Sequence, residues 1–202
     1  NIIKYIKMGA SSNFGNMFSM MGASAFLPFL PMLPSQILFN NFLYDLSQTT
    51  LPSDETDDEA TKEPLKWNMR SFGKYIIVFG AVSSIFDFLT FYLLYKVFGL
   101  MESGFQTGWF IESIATQVLV IFAIRTKRSP FWKSGPSRYV VGSAFAAVLF
   151  AWVLPFTPLA TLFSFEALPL RFLFAIAVIV LVYIGVVEIA KRSFYRHYPA
   201  SP

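Results

Sequence analysis

Long apolar runs alternate along the chain with short polar or proline-bearing segments, and six such runs can be marked, at 10–28, 34–50, 72–98, 106–125, 138–156 and 169–190. Each is closed by proline, glycine or a cluster of charge. About 20 residues rising 1.5 Å each cross the ~30 Å hydrocarbon core of a bilayer, so the runs predict membrane-crossing helices. The expected fold is all-α, a polytopic membrane bundle of six transmembrane helices. Three prolines in Pro28–Pro34 (PFLPMLP) forbid continuous helix there and start the second span abruptly near Ser35. No fixed-period repeat is present.

Charge orients the bundle. Lys4 and Lys7 precede the first run, and Lys62, Lys66, Arg70 and Lys74 lie between the second and third. Arg125, Lys127, Arg128, Lys133 and Arg138 lie between the fourth and fifth, and Lys191, Arg192 and Arg196 follow the sixth. Only Lys96 and Arg171 fall on the other side, so the positive-inside rule predicts that both termini are cytoplasmic. The organisation expected within 1–202 is a helix pair at 1–50, an acidic cytoplasmic loop at 51–71 and a four-helix support bundle at 72–202.

Composition agrees with a membrane setting. Charged residues make up 14% of the chain and hydrophobic ones 55%, whereas soluble domains are about 25% charged. The basic residues sit in short membrane-flanking segments without a continuous stripe, which argues against a nucleic-acid partner and for lipid, including anionic lipid, at the inner loops. The start (NIIKYIKMGASSN) lacks the three parts of a secretory signal, and its opening on Asn is read as the sign of a fragment or processed product. Zero cysteines exclude disulfides and thiolate chemistry, and the lone His197 is read as a solvated tail residue. Trp109, Trp132 and Trp152, with Tyr75, Tyr139 and Tyr195, fall near span ends and are expected to anchor at the headgroups.

Polar residues inside the runs carry the candidate chemistry. At helical spacing Asn41, Tyr44, Asp45 and Gln48 share a stripe on the second span, with Asn40 pointing elsewhere. Ser12, Asn13 and Asn16 form a stripe on the first span, where Gly9, Gly15 and Gly22 permit close helix approach. An aspartate in mid-membrane costs roughly 2.5–3.5 kcal/mol on insertion scales, so Asp45 is expected to face a functional path. Amide oxygens and one carboxylate are hard ligands, and a partly hydrated magnesium ion suits them better than a stripped calcium ion. The bland reading of the asparagines is helix–helix hydrogen bonding.

Ser83, Ser84, Asp87 and Thr90 share a face of the third span, and Glu112, Thr116 and Gln117 lie in the fourth. They are read either as path-lining or, for Asp87 and Glu112, as close to an outer vestibule. Glu188 is expected to pair locally with Lys191 and Arg192. The segment SDETDDEATKEP carries Asp54, Glu55, Asp57, Asp58, Glu59 and Glu63 without the glycine and ligand spacing of an EF-hand, and it is expected to be a solvated connector. No phosphate-binding glycine loop or nucleophile elbow occurs, so no catalytic residues are expected in this chain.

The stretches GASSNFGNMFS and LFNNFLYDLSQTTLPSDETDD resemble the fifth and sixth transmembrane helices of P-type ATPases. SSIFDFLTF, GWFIESIATQVLVIFAIRTKRSPF and LPFTPLA extend the resemblance to the bacterial magnesium-transporting class, over essentially all 202 residues. The resemblance implies the C-terminal half of a pump in a bacterial plasma (inner) membrane, with Mg2+ imported as the transported ion. It places Asn13, Asn16, Asn41 and Asp45 at the ion site, Tyr44 where calcium pumps have threonine, and Gln117 at an eighth-helix position that contributes in relatives. Gln48, Glu112 and Asp87 are added as further path residues. Asn16 stands where calcium pumps carry glutamate, which speaks against two-calcium transport.

The resemblance also implies partners beyond the sequence at hand. The phosphorylated Asp-Lys-Thr-Gly-Thr segment and the Thr-Gly-Glu loop of such pumps do not occur here. ATP would therefore act only through domains not in this chain, the N-terminal half of the same pump. A free-standing six-span channel or carrier, and an inactive truncated product, are the rival readings.

Overall fold

A computed structural model describes residues 2–54, 69–126 and 128–197, with side chains from residue 5 onward. Within these the chain forms six principal helices: α1 (Ile2–Ser24), α2 (Pro34–Gln48), α3 (Met69–Tyr92), α4 (Glu102–Ile124), α5 (Arg138–Val153) and α6 (Leu170–His197). No strand occurs among the described residues.

The local chemistry explains the breaks. Pro34 opens α2, and Gln36 accepts the Leu33 N–H at 2.9 Å while its amide donates to the Phe163 carbonyl at 2.7 Å. α3 runs into a single wide turn, Leu93–Val97, and stops at Gly99, whose φ of +64° lets the Leu100 N–H reach back to the Leu94 carbonyl at 2.9 Å. Ser137 caps α5 by accepting from the Val140 N–H at 3.3 Å. Beyond α5, prolines 155 and 158 divide the chain into short 3-10 turns before α6.

α4 is the centre. Its apolar stretch is 83% buried, against 33–44% for those of α3, α5 and α6. It packs against α2, α3, α5 and α6, while α1 seats mainly on α3. The α1–α3 seam depends on small residues. A Cβ at Gly15 would lie 3.1 Å from the Gly80 carbonyl oxygen, and one at Gly22 would lie 2.4 Å from the Phe88 ring. Gly9 faces open space and plays no such part. Two apolar clusters stack along the bundle, one around Phe91, Phe105, Trp109 and Phe172, the other around Met8, Phe79, Ile121 and Val187. In α1 the buried serines 11, 12 and 19 fall between Met8 of one cluster and Ala23 of the other, which sets a polar layer midway along the bundle.

Among the described residues four helices, Met69–Val97, Glu102–Ile124, Arg138–Phe156 and Leu170–His197, are long and apolar enough to cross a membrane. α1 and α2 are the exceptions to the six-span expectation. α2 has 15 residues, about 22 Å of helix, and α1 is diluted by its serines and asparagines.

Candidate functional site: a polar layer inside the bundle

The four oxygen-bearing residues expected to form the ion site do not all turn inward. On α2 the buried face is Asn40, Tyr44, Ser47 and Gln48; Asn41 is half-buried and Asp45 is exposed. Asn40, read from the sequence as pointing elsewhere, is thus an inner residue. The physical reason is that α2 leaves its large apolar residues Leu38, Phe42 and Leu46 exposed and packs its polar side, Gln36, Asn40, Tyr44, Ser47 and Gln48, toward α4 and α5. On α1 Asn13 is exposed and Asn16 half-buried. The Tyr5 hydroxyl donates to the Asp45 carboxylate at 3.3 Å, linking α1 and α2 on the open side.

The two stripes are joined through α4. Asn16 Nδ2 donates to Ser113 Oγ at 3.5 Å, Gln117 Nε2 donates to the same oxygen at 2.5 Å, and to Asn40 Oδ1 at 3.3 Å. Ser113 and Gln117 lie one turn apart on α4, so a single helix face bridges α1 and α2. Around this chain several buried polar atoms have no hydrogen-bond partner: Gln117 Oε1, Gln48 Oε1, the Tyr44 hydroxyl and Asn40 Nδ2. Buried polar groups are ordinarily satisfied, and unsatisfied oxygens inside a membrane bundle are free to ligate a cation or to accept from a rearranged partner. Among the described residues no three His, Cys, Asp or Glu side chains gather into a metal cage. Any cation in this layer would be held by neutral oxygens, water and at most isolated carboxylates, the donor set that suits partly hydrated magnesium.

A second polar group lies beside the first. Asp87 (α3) accepts from Ser19 Oγ at 2.5 Å and from Trp109 Nε1 at 3.1 Å, with Glu112 of α4 facing it. The expected third-span face is realised, since Ser83, Ser84, Asp87 and Thr90 are all buried. Ser84 Oγ donates to the Gly15 and Gly80 carbonyls at 3.0 Å each, fastening α1 to α3.

Trp109 corrects the anchoring expectation: it is 1% exposed and its indole N–H donates to Asp87, the usual arrangement for a buried indole. Tyr75 is likewise buried, whereas Trp132 and Tyr139 remain exposed.

Asp54 is a second correction. Read as part of a solvated acidic connector, it is buried in an ion pair with Arg125 at 2.7 Å and accepts the Ser137 N–H at 3.1 Å. Arg125 also donates to the Ser134 carbonyl at 2.5 Å, so the pair ties the end of α2 to the end of α4 and the start of α5. The other acidic residues of that connector, Glu55, Asp57, Asp58, Glu59 and Glu63, lie outside the described residues. Glu188 pairs with Lys191 at 2.7 Å and Arg192 at 3.8 Å, as its spacing implied.

Sequence reasoning missed Ser113, Ser19 and the inward Asn40. Ser113 and Ser19 had local signals, a four-residue spacing from Gln117 and a three-residue spacing from Asn16.

Comparison with known proteins agrees with this architecture. The family described as "Cation transporting ATPase, C-terminus" matches residues 29–193. The chain is 43% identical over 202 residues to "Magnesium-transporting ATPase, P-type 1" of Escherichia coli (strain K12), an alignment covering 98% of this chain and 22% of that protein. Two proteins of the same description from Salmonella typhimurium, in strains 14028s and LT2, are 42% and 40% identical over the same shares. The chain therefore spans about a fifth of the length of the curated relatives it matches. With an all-helical bundle, apolar helices of membrane-crossing length and a match over most of its residues, this chain belongs to the C-terminal family of cation-transporting ATPases.

Proposed function

We propose that this chain is the ion-pathway part of an ATP-driven magnesium pump of a bacterial plasma membrane. In this reading all six helices cross the bilayer with both termini in the cytoplasm, and Mg2+ is the imported substrate. The observation that carries the reading is the junction of α1, α2 and α4, where Asn16, Ser113, Gln117 and Asn40 form a hydrogen-bonded chain flanked by unpartnered buried oxygens. Similarity to proteins described as magnesium-transporting supports the choice of ion.

Asp45, Asn41, Asn13 and Asn16 are the proposed transport ligands, with Tyr44, Gln48 and Gln117 completing the path from the inner side. Asp45 and Asn13 lie on the open face of α1 and α2, and most of the relatives' length lies outside the matched region. A site completed by another part of the same pump accounts for both facts. α1 and α2 are also the helices that fall short of an independent span, which suits elements held by protein on one side and moved during transport. Phosphorylation and ATP hydrolysis belong to domains beyond this chain. The cycle would act here by displacing α1, whose first residues lead into the asparagine stripe. Anionic lipid is the proposed neighbour of the basic inner segments.

The test is magnesium flux into vesicles reconstituted with the complete protein, read with an internal magnesium indicator. ATP-dependent flux that vanadate stops is the expected result. Flux that runs without ATP and ignores vanadate would make these helices a passive channel or carrier.

A further inference from the structure

Asp87 and Glu112, read from the sequence as path-lining or as close to an outer vestibule, are not among the ligands proposed above. Asp87 is 1% exposed and Glu112 is 0% exposed, on neighbouring helices with their carboxyls facing each other. Their environments differ. Asp87 accepts two hydrogen bonds, from Ser19 and Trp109. Neither oxygen of Glu112 accepts a hydrogen bond from an N–H or hydroxyl group. The side chains that hydrogen-bond to the pair are Ser19 from α1 and Trp109 from α4, and Tyr183 of α6 lies within electrostatic reach. All are uncharged. Among the described residues, the ion pairs formed by lysine and arginine involve Asp54 and Glu188, and neither Asp87 nor Glu112.

Two ionised carboxylates cannot share a dry, uncompensated site, because each loses its hydration and the two repel. The asymmetry says which acid stays neutral. Asp87 has the N–H and O–H donors that a carboxylate needs, while Glu112 has none, so the carboxyl without donors is the one that holds a proton and can give it in a hydrogen bond to Asp87. A small cavity lies about one helical turn from Asp87 along α3. Ser11, Ser12, Ser83 and Tyr183 line it together with Met8, Phe79, Val120 and Ile124, it has room for about one water, and Ser12 Oγ is buried without a partner. The space is too small for a hydrated divalent cation.

We propose that Asp87 and Glu112 form a proton-binding site at the junction of α1, α3 and α4, in which Glu112 carries the proton and Asp87 the charge. The site is separate from the proposed magnesium ligands and stands without that reading. Because Ser19 joins it from α1, proton loss would leave two facing charges at the α1–α3–α4 junction and drive the helices apart.

Infrared spectroscopy of the complete protein at neutral pH reads the proton directly. The wild type minus Glu112→Gln difference is expected to show a protonated-carboxyl carbonyl band that shifts down in D2O. An amide in place of a neutral acid keeps the volume and the absence of charge, so this variant should fold. Asp87→Asn supplies an independent reading, with loss of a carboxylate band and an upward shift of the remaining carboxyl band. A Glu112→Gln difference that contains only carboxylate bands would overturn the proposal. So would disappearance of the protonated band when Mg2+ alone is titrated into the wild type, since the pair would then be a metal site. Persistence of the band under that titration, with the D2O shift intact, supports it.

Discussion

Two buried polar regions of this bundle are built in opposite ways. At the loop end, both carboxylate oxygens of Asp54 and both terminal nitrogens of Arg125 are engaged: the carboxylate accepts from the guanidinium and from the Ser137 N–H, and the guanidinium also donates to the Ser134 carbonyl. In the middle, the layer around Gln117 and Asn40 is connected but incomplete, with oxygens of Gln117, Gln48 and Tyr44 left without partners. A satisfied buried ion pair fixes geometry, and removing one member strands the other charge. A half-satisfied network gives little stability and leaves capacity for a ligand. The difference separates the part that holds helix ends in register from the part that can exchange partners.

The largest stability effect should therefore come from the loop end. Arg125→Ala strands the Asp54 carboxylate in a site with 0% side-chain exposure and is expected to lower stability by about 3–5 kcal/mol. Asp54→Leu combined with Arg125→Leu removes both charges and is expected to recover much of that loss. Chemical denaturation of the complete protein in detergent micelles measures both. An Arg125→Ala variant that unfolds like the wild type would erase the contrast between the two regions.

Gln117→Leu probes the middle layer. It removes the hydrogen bonds to Ser113 and Asn40 but also removes an unsatisfied carbonyl oxygen, so the net stability change should be about 1 kcal/mol. Magnesium stimulation of ATP hydrolysis should nevertheless fall, because the helix bridge between α1 and α2 is lost. Equal losses of stability and of stimulation would show that Gln117 is only a packing element.

What could be read from sequence follows from what local patterns encode. Helix placement was legible, because proline and glycine punctuation is local: α2 begins at Pro34, one residue from the expected start, and Ser83, Ser84, Asp87 and Thr90 share a buried face as their spacing implied. Periodicity groups Asn41, Tyr44, Asp45 and Gln48 on one stripe of α2, and burial divides that stripe: Tyr44 and Gln48 turn inward with Asn40, while Asn41 and Asp45 stay on the side of the exposed Leu38, Phe42 and Leu46. Local spacing does not say where packing against α4 and α5 draws that line. Trp109 and Asp54 were misread for a related reason. Each has a partner distant in sequence, Asp87 in one case and Arg125 in the other, and a position near a span end or within an acidic run carries no trace of it.

The smallest stability effect belongs to Asp45, and it bears most directly on function. Its carboxylate is exposed on α2, held by one long hydrogen bond from the Tyr5 hydroxyl. Surface substitutions of this kind change stability by about 0.5 kcal/mol or less. If Asp45 were merely a surface residue, Asp45→Ala would be silent in every assay. If it is the one carboxylate of the transport site, the same variant should fold and reach the membrane as well as the wild type while losing magnesium-stimulated ATP hydrolysis altogether. Asp45→Asn refines the outcome, since the amide preserves shape and an oxygen ligand but not the charge. Partial stimulation shifted to higher magnesium concentration would show that Asp45 contributes electrostatic attraction to a site otherwise built of neutral oxygens. Stimulation at the wild-type level in Asp45→Ala would instead remove the open face of α2 from the ion path and move the search to the unpartnered oxygens inside the bundle.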